Sequence, residues 1–254
     1  TILIPFNDLD ALDAALKKNR EQIACMITEP VIGNAGLIPP KPDYLSNAKK
    51  LLSENGSLLI LDEVITGFRL GLGGAQEYYG VDADIVTMGK VIGGGFPIGV
   101  FGASSEIMDN ITPLGSVYNA GTFNGHPVSI AAGLATFKAM KEQNILEKIS
   151  KTGEAVQKGL RGIVEDQKSG YHVQGVGPMF QVYFNKKPVW NMVDAMASDA
   201  ERFLKYCSIL RGKGVYLPPS QYECCFVSSR HDQEVVDFSL EQFESAMKTV
   251  AKED

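Results

Sequence analysis

The sequence predicts an α/β fold, a mostly parallel sheet covered by helices, followed by a smaller α+β domain. Three observations lead there. Short apolar runs (IACMIT, LLIL and IVTM) each end at turn-forming or charged residues, as buried parallel strands do. Patterns with helical spacing lie between them and supply the right-handed crossovers that a parallel sheet requires. Beyond about residue 145 the alternation stops, and paired strands stand apart from long helices. The expected division is a large domain, 1–145, and a small C-terminal domain, 146–254.

Taken in order, Asn7 is placed to cap a helix with Leu9, Leu12 and Leu16 on one face and Lys17–Lys18 in its last turn. Ile23 to Thr28 reads as a strand stopped at Glu29–Pro30, and VIGNAG as a glycine-rich loop. A helix from Asp43 to about Asn55 turns Tyr44, Leu45, Ala48 and Leu52 inward, and Gly56 closes it. Leu58 to Leu61 and Ile85 to Met88 read as strands joined by a long loop, and Ile98 to Ala103 as a further strand. Helices are expected over 128–142 and 145–166, then strands over 172–177 and 179–184. One helix from about Val193 to Arg211 and a closing helix from Asp232 to Ala251 complete the chain.

Composition narrows the function. Hydrophobic residues make up 44% and charged residues 21% of the chain, which allows a sizeable core. A net charge of −6 with no basic run argues against a nucleic-acid partner. No apolar stretch approaches the ~18 residues of a membrane helix. Cys25, Cys207, Cys224 and Cys225 show neither CxxC spacing nor a disulfide framework, so a reducing, cytoplasmic setting is expected. The sequence opens at Thr1 without a Met and is expected to be part of a longer protein.

The chemistry is concentrated between Leu58 and Gly95. Asp62 follows one apolar strand, and Lys90 follows the next, just before three glycines. In parallel sheets the ligand lies beyond the carboxyl ends of the strands, where both residues would sit. An Asp at a strand end is more often a helix cap, and a lone Lys before glycines is more often a solvated charge. Together they suit a cofactor needing an acid-stabilised ring nitrogen and a Schiff-base amine, which is pyridoxal phosphate (PLP). Desolvation in a crevice would lower the pKa of Lys90, as a nucleophilic amine needs. Val64 would share a side with Asp62 if the strand continued, and could pack beneath the ring. Gly121–Thr122 offers a backbone N–H and a hydroxyl suited to a phosphate oxygen. His126, alone before Pro127, reads as structural.

Four segments carry a resemblance: EPVIGNAG, LLILDEVITGFR, TMGKVIGGGFPIG and YNAGTFNGHP. Together they resemble the class III, fold-type I PLP-dependent aminotransferases, and within that family its aminomutase branch. The resemblance implies that Lys90 is the cofactor lysine, Asp62 the partner of the ring nitrogen, and Val64 a contact of the ring. It implies that Asn34 lies near the cofactor's phenolic oxygen with Glu29 supporting it. Gly121 and Thr122 would reach the phosphate held by the other subunit of a homodimer, and Glu223 would act in closing the site. The implied reaction starts from the aminated cofactor (PMP) and moves nitrogen within one small substrate, glutamate-1-semialdehyde, to give 5-aminolevulinate for tetrapyrrole synthesis. The resemblance also implies that the family's N-terminal portion lies outside this sequence.

Other readings stand beside this one. An ω-aminotransferase or an amino-acid epimerase of the same family would use the same Lys90 and Asp62. A catalytically incomplete binding or dimer partner is a second alternative. LLILDEV also looks like the apolar-Asp-Glu strand of ATPases, but the phosphate loop GxxxxGK[ST] that reading needs does not occur.

Overall fold

The computed structural model describes residues 1–251. Packing divides them into two compact units. The first comprises residues 1–2, 8–30 and 43–146, and the second residues 3–7, 31–42 and 147 onward.

In the first unit, α1 (Leu9–Lys18) leads to β1 (Cys25–Thr28), α2 (Tyr44–Glu54) and β2 (Leu58–Glu63). A short helix α3 (Gly74–Tyr79) interrupts what reads in the sequence as a plain loop before β3 (Ile85–Met88). Then come β4 (Val100–Ala103), α4 (Ser105–Met108) and α5 (Pro127–Glu142). The sheet order is β1-β2-β3-β4, parallel except for the antiparallel β4.

Asp8, rather than the expected Asn7, caps α1. Its carboxylate accepts the Ala11 N–H at 2.8 Å, because Asn7 has a left-handed φ of 66° and its side chain is engaged elsewhere. Along β2 burial alternates. Leu59, Leu61 and Glu63 face the buried side, and Leu58, Ile60 and Asp62 the half-open one. Helix α2 packs on β2, and Lys49 on that helix reaches Asp84 with Nζ–O distances of 2.5 and 2.6 Å. Asp84 also accepts the Leu59 N–H at 2.7 Å, which ties the helix to the start of the sheet.

In the second unit, α6 (Ile145–Asp166) leads to a hairpin of β5 (His172–Val176) and β6 (Met179–Tyr183). Helices α7 (Met192–Met196) and α8 (Ala200–Gly212) follow, then β7 (Cys225–Phe226) and α9 (Gln233–Ala251). The expected single helix over 193–211 is broken. Asn191 and Asp199 each cap a separate helix, accepting from Asp194 N–H at 3.0 Å and Arg202 N–H at 2.9 Å.

Strand β6 lies between β5 and β7 and is buried throughout. Its Phe180 and Val182 join Leu160, Phe203, Tyr206 and Phe243 in the main core of this unit. Each such aromatic contributes about 1.5–3 kcal/mol by leaving water. The opposite face carries Gln181 and Tyr183, and there Ala35, Ile38, Val189 and Ala195 pack around the Tyr183 ring. Asn7 secures the segment 31–42 to this unit, donating to Pro39 O and Trp190 O and accepting from Lys41 N–H.

Candidate active site

The three parallel strands end at nearly one level. Thr28 pairs with Leu61 and Asp62 with Thr87, so Glu29 and Asp62 stand beside each other's strand tips, and Lys90 lies two residues past β3. Glu29 and Asp62 are half-buried, and Lys90 is exposed. The described residues therefore do not supply the desolvation expected for the Lys90 amine.

Asp62 Oδ1 accepts the Val64 N–H at 3.0 Å. This hydrogen bond lies just past the strand end at Glu63, and Val64 is half-buried, as Asp62 is. Its methyl carbons lie beside Gly89, 3.4 and 3.6 Å from where a Cβ would stand. Val64 and the residue preceding Lys90 are thus brought together.

Lys90 opens a 3₁₀ turn, Lys90–Gly93, with a left-handed φ of 48°, a conformation that costs a non-glycine residue roughly 1 kcal/mol. Helix α5 holds the turn. A Cβ on Gly94 (φ 58°) would come within 2.6 Å of Ala132 O, and one on Gly133 would collide with Ile92 O. These two glycines let helix and turn touch backbone to backbone. Gly133 carries no signal in the sequence that would have marked it.

Glu63 is the residue that sequence reasoning missed. It is 0% exposed. Its carboxylate accepts the Thr66 hydroxyl at 3.0 Å and the N–H groups of Ala75 and Gln76 at 2.6 and 3.1 Å. Gly74 (φ 67°) leaves no room for a Cβ against that carboxylate. Glu63 so draws the 64–73 loop back onto the strand end that carries Asp62.

Gly121 and Thr122 lie on the exposed loop before α5. Gly121 O accepts the Asn124 N–H at 3.0 Å, and His126, next in that loop, has a buried Nδ1 with no protein partner. Asn34 and Glu223 belong to the second unit, each exposed on its own loop.

A carboxylate and a primary amine at neighbouring strand tips, with an aliphatic side chain beside them, suit a pyridine ring bearing a basic nitrogen and an aldehyde. The donor set fits PLP.

Comparison with known proteins agrees. The aminotransferase class-III family model matches residues 5–238. A glutamate-1-semialdehyde 2,1-aminomutase of Methanocaldococcus jannaschii is 48% identical over 248 residues, 98% of this chain and 58% of that protein. The chain thus spans 58% of the length of that relative. An omega-transaminase from Sphaerobacter thermophilus superposes with a TM-score of 0.89 at 28% identity, covering 98% of this chain and 57% of that one. A glutamate-1-semialdehyde-aminomutase variant from Pseudomonas aeruginosa PAO1, in complex with PMP, gives 0.88 at 25% identity with the same coverage. The α/β fold expected from the sequence, fold type I of the PLP-dependent transferases, is the fold of these structures.

Proposed function

Because this chain belongs to the class-III aminotransferase family, we propose that it carries the PLP-dependent chemistry of an aminomutase that converts glutamate-1-semialdehyde into 5-aminolevulinate. The observation that carries the reading is the placement of Asp62 and Lys90 at adjacent parallel strand tips.

When bound, the cofactor would supply an electron-withdrawing ring that stabilises negative charge on a substrate carbon. Asp62 would keep a proton on the ring nitrogen. With Oδ1 engaged by Val64 N–H, Oδ2 is the oxygen left to do so. Val64 would pack against the ring, and Glu63 would hold the loop that begins there. Lys90 would fasten the aldehyde carbon through Nζ and carry a proton at Nζ between the two substrate carbons. Asn34 would donate to the phenolic oxygen with Glu29 supporting that region, Gly121 and Thr122 would bind phosphate, and Glu223 would help close the site.

A homodimer is part of this reading. Leu114, Tyr118, Phe123 and Leu134 are 77%, 82%, 76% and 65% exposed along the segment that includes Thr122 and α5, an apolar stretch suited to a second copy. The four free cysteines support a reducing, cytoplasmic setting.

The test is to add PLP, reduce with borohydride and map the label, then supply glutamate-1-semialdehyde without an amino donor. Label on Lys90 and 5-aminolevulinate formed would support the proposal. Turnover only with an added amino donor would favour an ω-aminotransferase, and no label on Lys90 would overturn both.

A further inference from the structure

The loop that presents Asn34 is unusual in being buried. Ile32 and Ile38 exchange backbone hydrogen bonds, both 2.9 Å, and close residues 33–37 into a ring of chain. Within that ring Gly33, Ala35, Gly36 and Leu37 are buried and Asn34 alone is exposed. A short loop with buried backbone must have its polar groups satisfied from within the protein.

Tyr183 on β6 does this. Its hydroxyl, on a fully buried side chain, donates to Ala35 O at 3.0 Å and accepts the Leu37 N–H at 2.6 Å. The two bonds straddle Gly36, whose φ of 85° turns the loop tightly, and a Cβ there would collide with the hydroxyl and come within 2.8 Å of Gln221 O. Gln174 on β5 donates to the remaining Leu37 carbonyl at 2.8 Å, and its own carbonyl accepts the Val189 N–H at 2.7 Å. Burial pushes the Tyr183 phenol well above its ordinary pKa, so it stays a donor throughout the working range.

We propose that Tyr183 is a positioning residue for Asn34: its hydroxyl fastens the backbone immediately after Asn34 and so fixes where that side chain points. The proposal rests on the reading above, in which Asn34 donates to the cofactor's phenolic oxygen. A tyrosine that served only the core would need its ring. The hydroxyl would be dispensable to function, and Tyr183→Phe separates the two roles.

Two measurements on the full chain decide. In the first, amide hydrogen exchange is followed in the wild type and in Tyr183→Phe without cofactor. Exchange over residues 34–37 is expected to accelerate roughly tenfold or more while that of β5 and β6 stays as it was. Unchanged exchange in the loop would overturn the proposal whatever the chain binds. In the second, PLP is added and the visible band of the bound cofactor is titrated with pH. Asn34→Ala is expected to raise the midpoint by about half a unit, since a donor to the charged oxygen is lost. Tyr183→Phe should raise it likewise, and the double variant no further than Asn34→Ala alone. A Tyr183→Phe midpoint equal to the wild type, with only a lower melting temperature, would overturn the proposal. A wild type with no visible band would count against the cofactor reading and, with it, against any role for Tyr183 toward that cofactor. Should Tyr183→Phe fail to fold, Gly36→Ala disturbs the same contact from the loop side and is expected to give the same two responses, their absence overturning the proposal.

Discussion

The carboxylates of Asp62 and Glu63, neighbours in the sequence, serve opposite faces of one strand. Asp62 on the half-open face accepts Val64 N–H at 3.0 Å, and Glu63 on the buried face accepts Ala75 N–H at 2.6 Å. In the proposed function Asp62 would offer its other oxygen to the cofactor, whereas Glu63 keeps the following loop in place. Replacing Glu63 by Ala strands two N–H groups and a hydroxyl and is expected to cost about 2–4 kcal/mol in urea unfolding. Asp62→Asn keeps the Oδ1 acceptor, so it should change stability by less than about 1 kcal/mol while weakening PLP binding in a spectrophotometric titration.

The left-handed backbone at Lys90 separates chemistry from strain. Lys90→Ala removes the amine and keeps the strain, whereas Lys90→Gly removes both. Neither variant should be labelled by borohydride reduction. The glycine variant is expected to be more stable than the alanine variant by about 1 kcal/mol, readable as a higher melting temperature.

Acid should loosen the α2–sheet contact. Burial pushes the Asp84 carboxyl up, but the Lys49 hydrogen bond and charge and the Leu59 N–H outweigh it and hold the carboxyl below its ordinary value. A depressed folded pKa contributes stability that is present above the ordinary carboxylate pKa of about 3.9 and is lost as pH falls through the folded value. Asp84→Asn is therefore expected to flatten the acid limb of the stability profile below about pH 4 and to leave its neutral limb parallel to that of the wild type.

Thiol reactivity should follow burial. Burial pushes Cys207 up to about 11 and Cys225 well up, and Cys224 is buried beside it, whereas Cys25 is exposed on β1. The thiolate is the reactive form. A chromogenic disulfide reagent at pH 8 should therefore titrate Cys25 alone in the folded chain and all four cysteines after unfolding.

Much of this architecture was legible because the strands of the sheet announce themselves. Leu58 to Leu61 is apolar on both faces and stops at two carboxylates, so a buried strand and its tip could both be read. Hairpin β5–β6 was legible as two short strand patterns, 172–177 and 179–184, with QVYF alternating in the second. What stayed hidden depends on long-range packing. Glu63 reads as an ordinary surface carboxylate until Ala75 and Gln76 fold back to meet it. The break at 197–199 carried a signal, Asp199 in capping position, that helical spacing across it masked. The burial of 33–37 comes from Tyr183, about 150 residues away in sequence, and no local pattern encodes that.

Strand β6 alternates Phe180 and Val182 toward the apolar core with Gln181 and Tyr183 toward the loops. A slip of one residue against β5 would drive an amide and a phenol into oil and leave the backbones of two loops without partners. Misaligned pairing therefore carries a double penalty, one in the core and one in the loops.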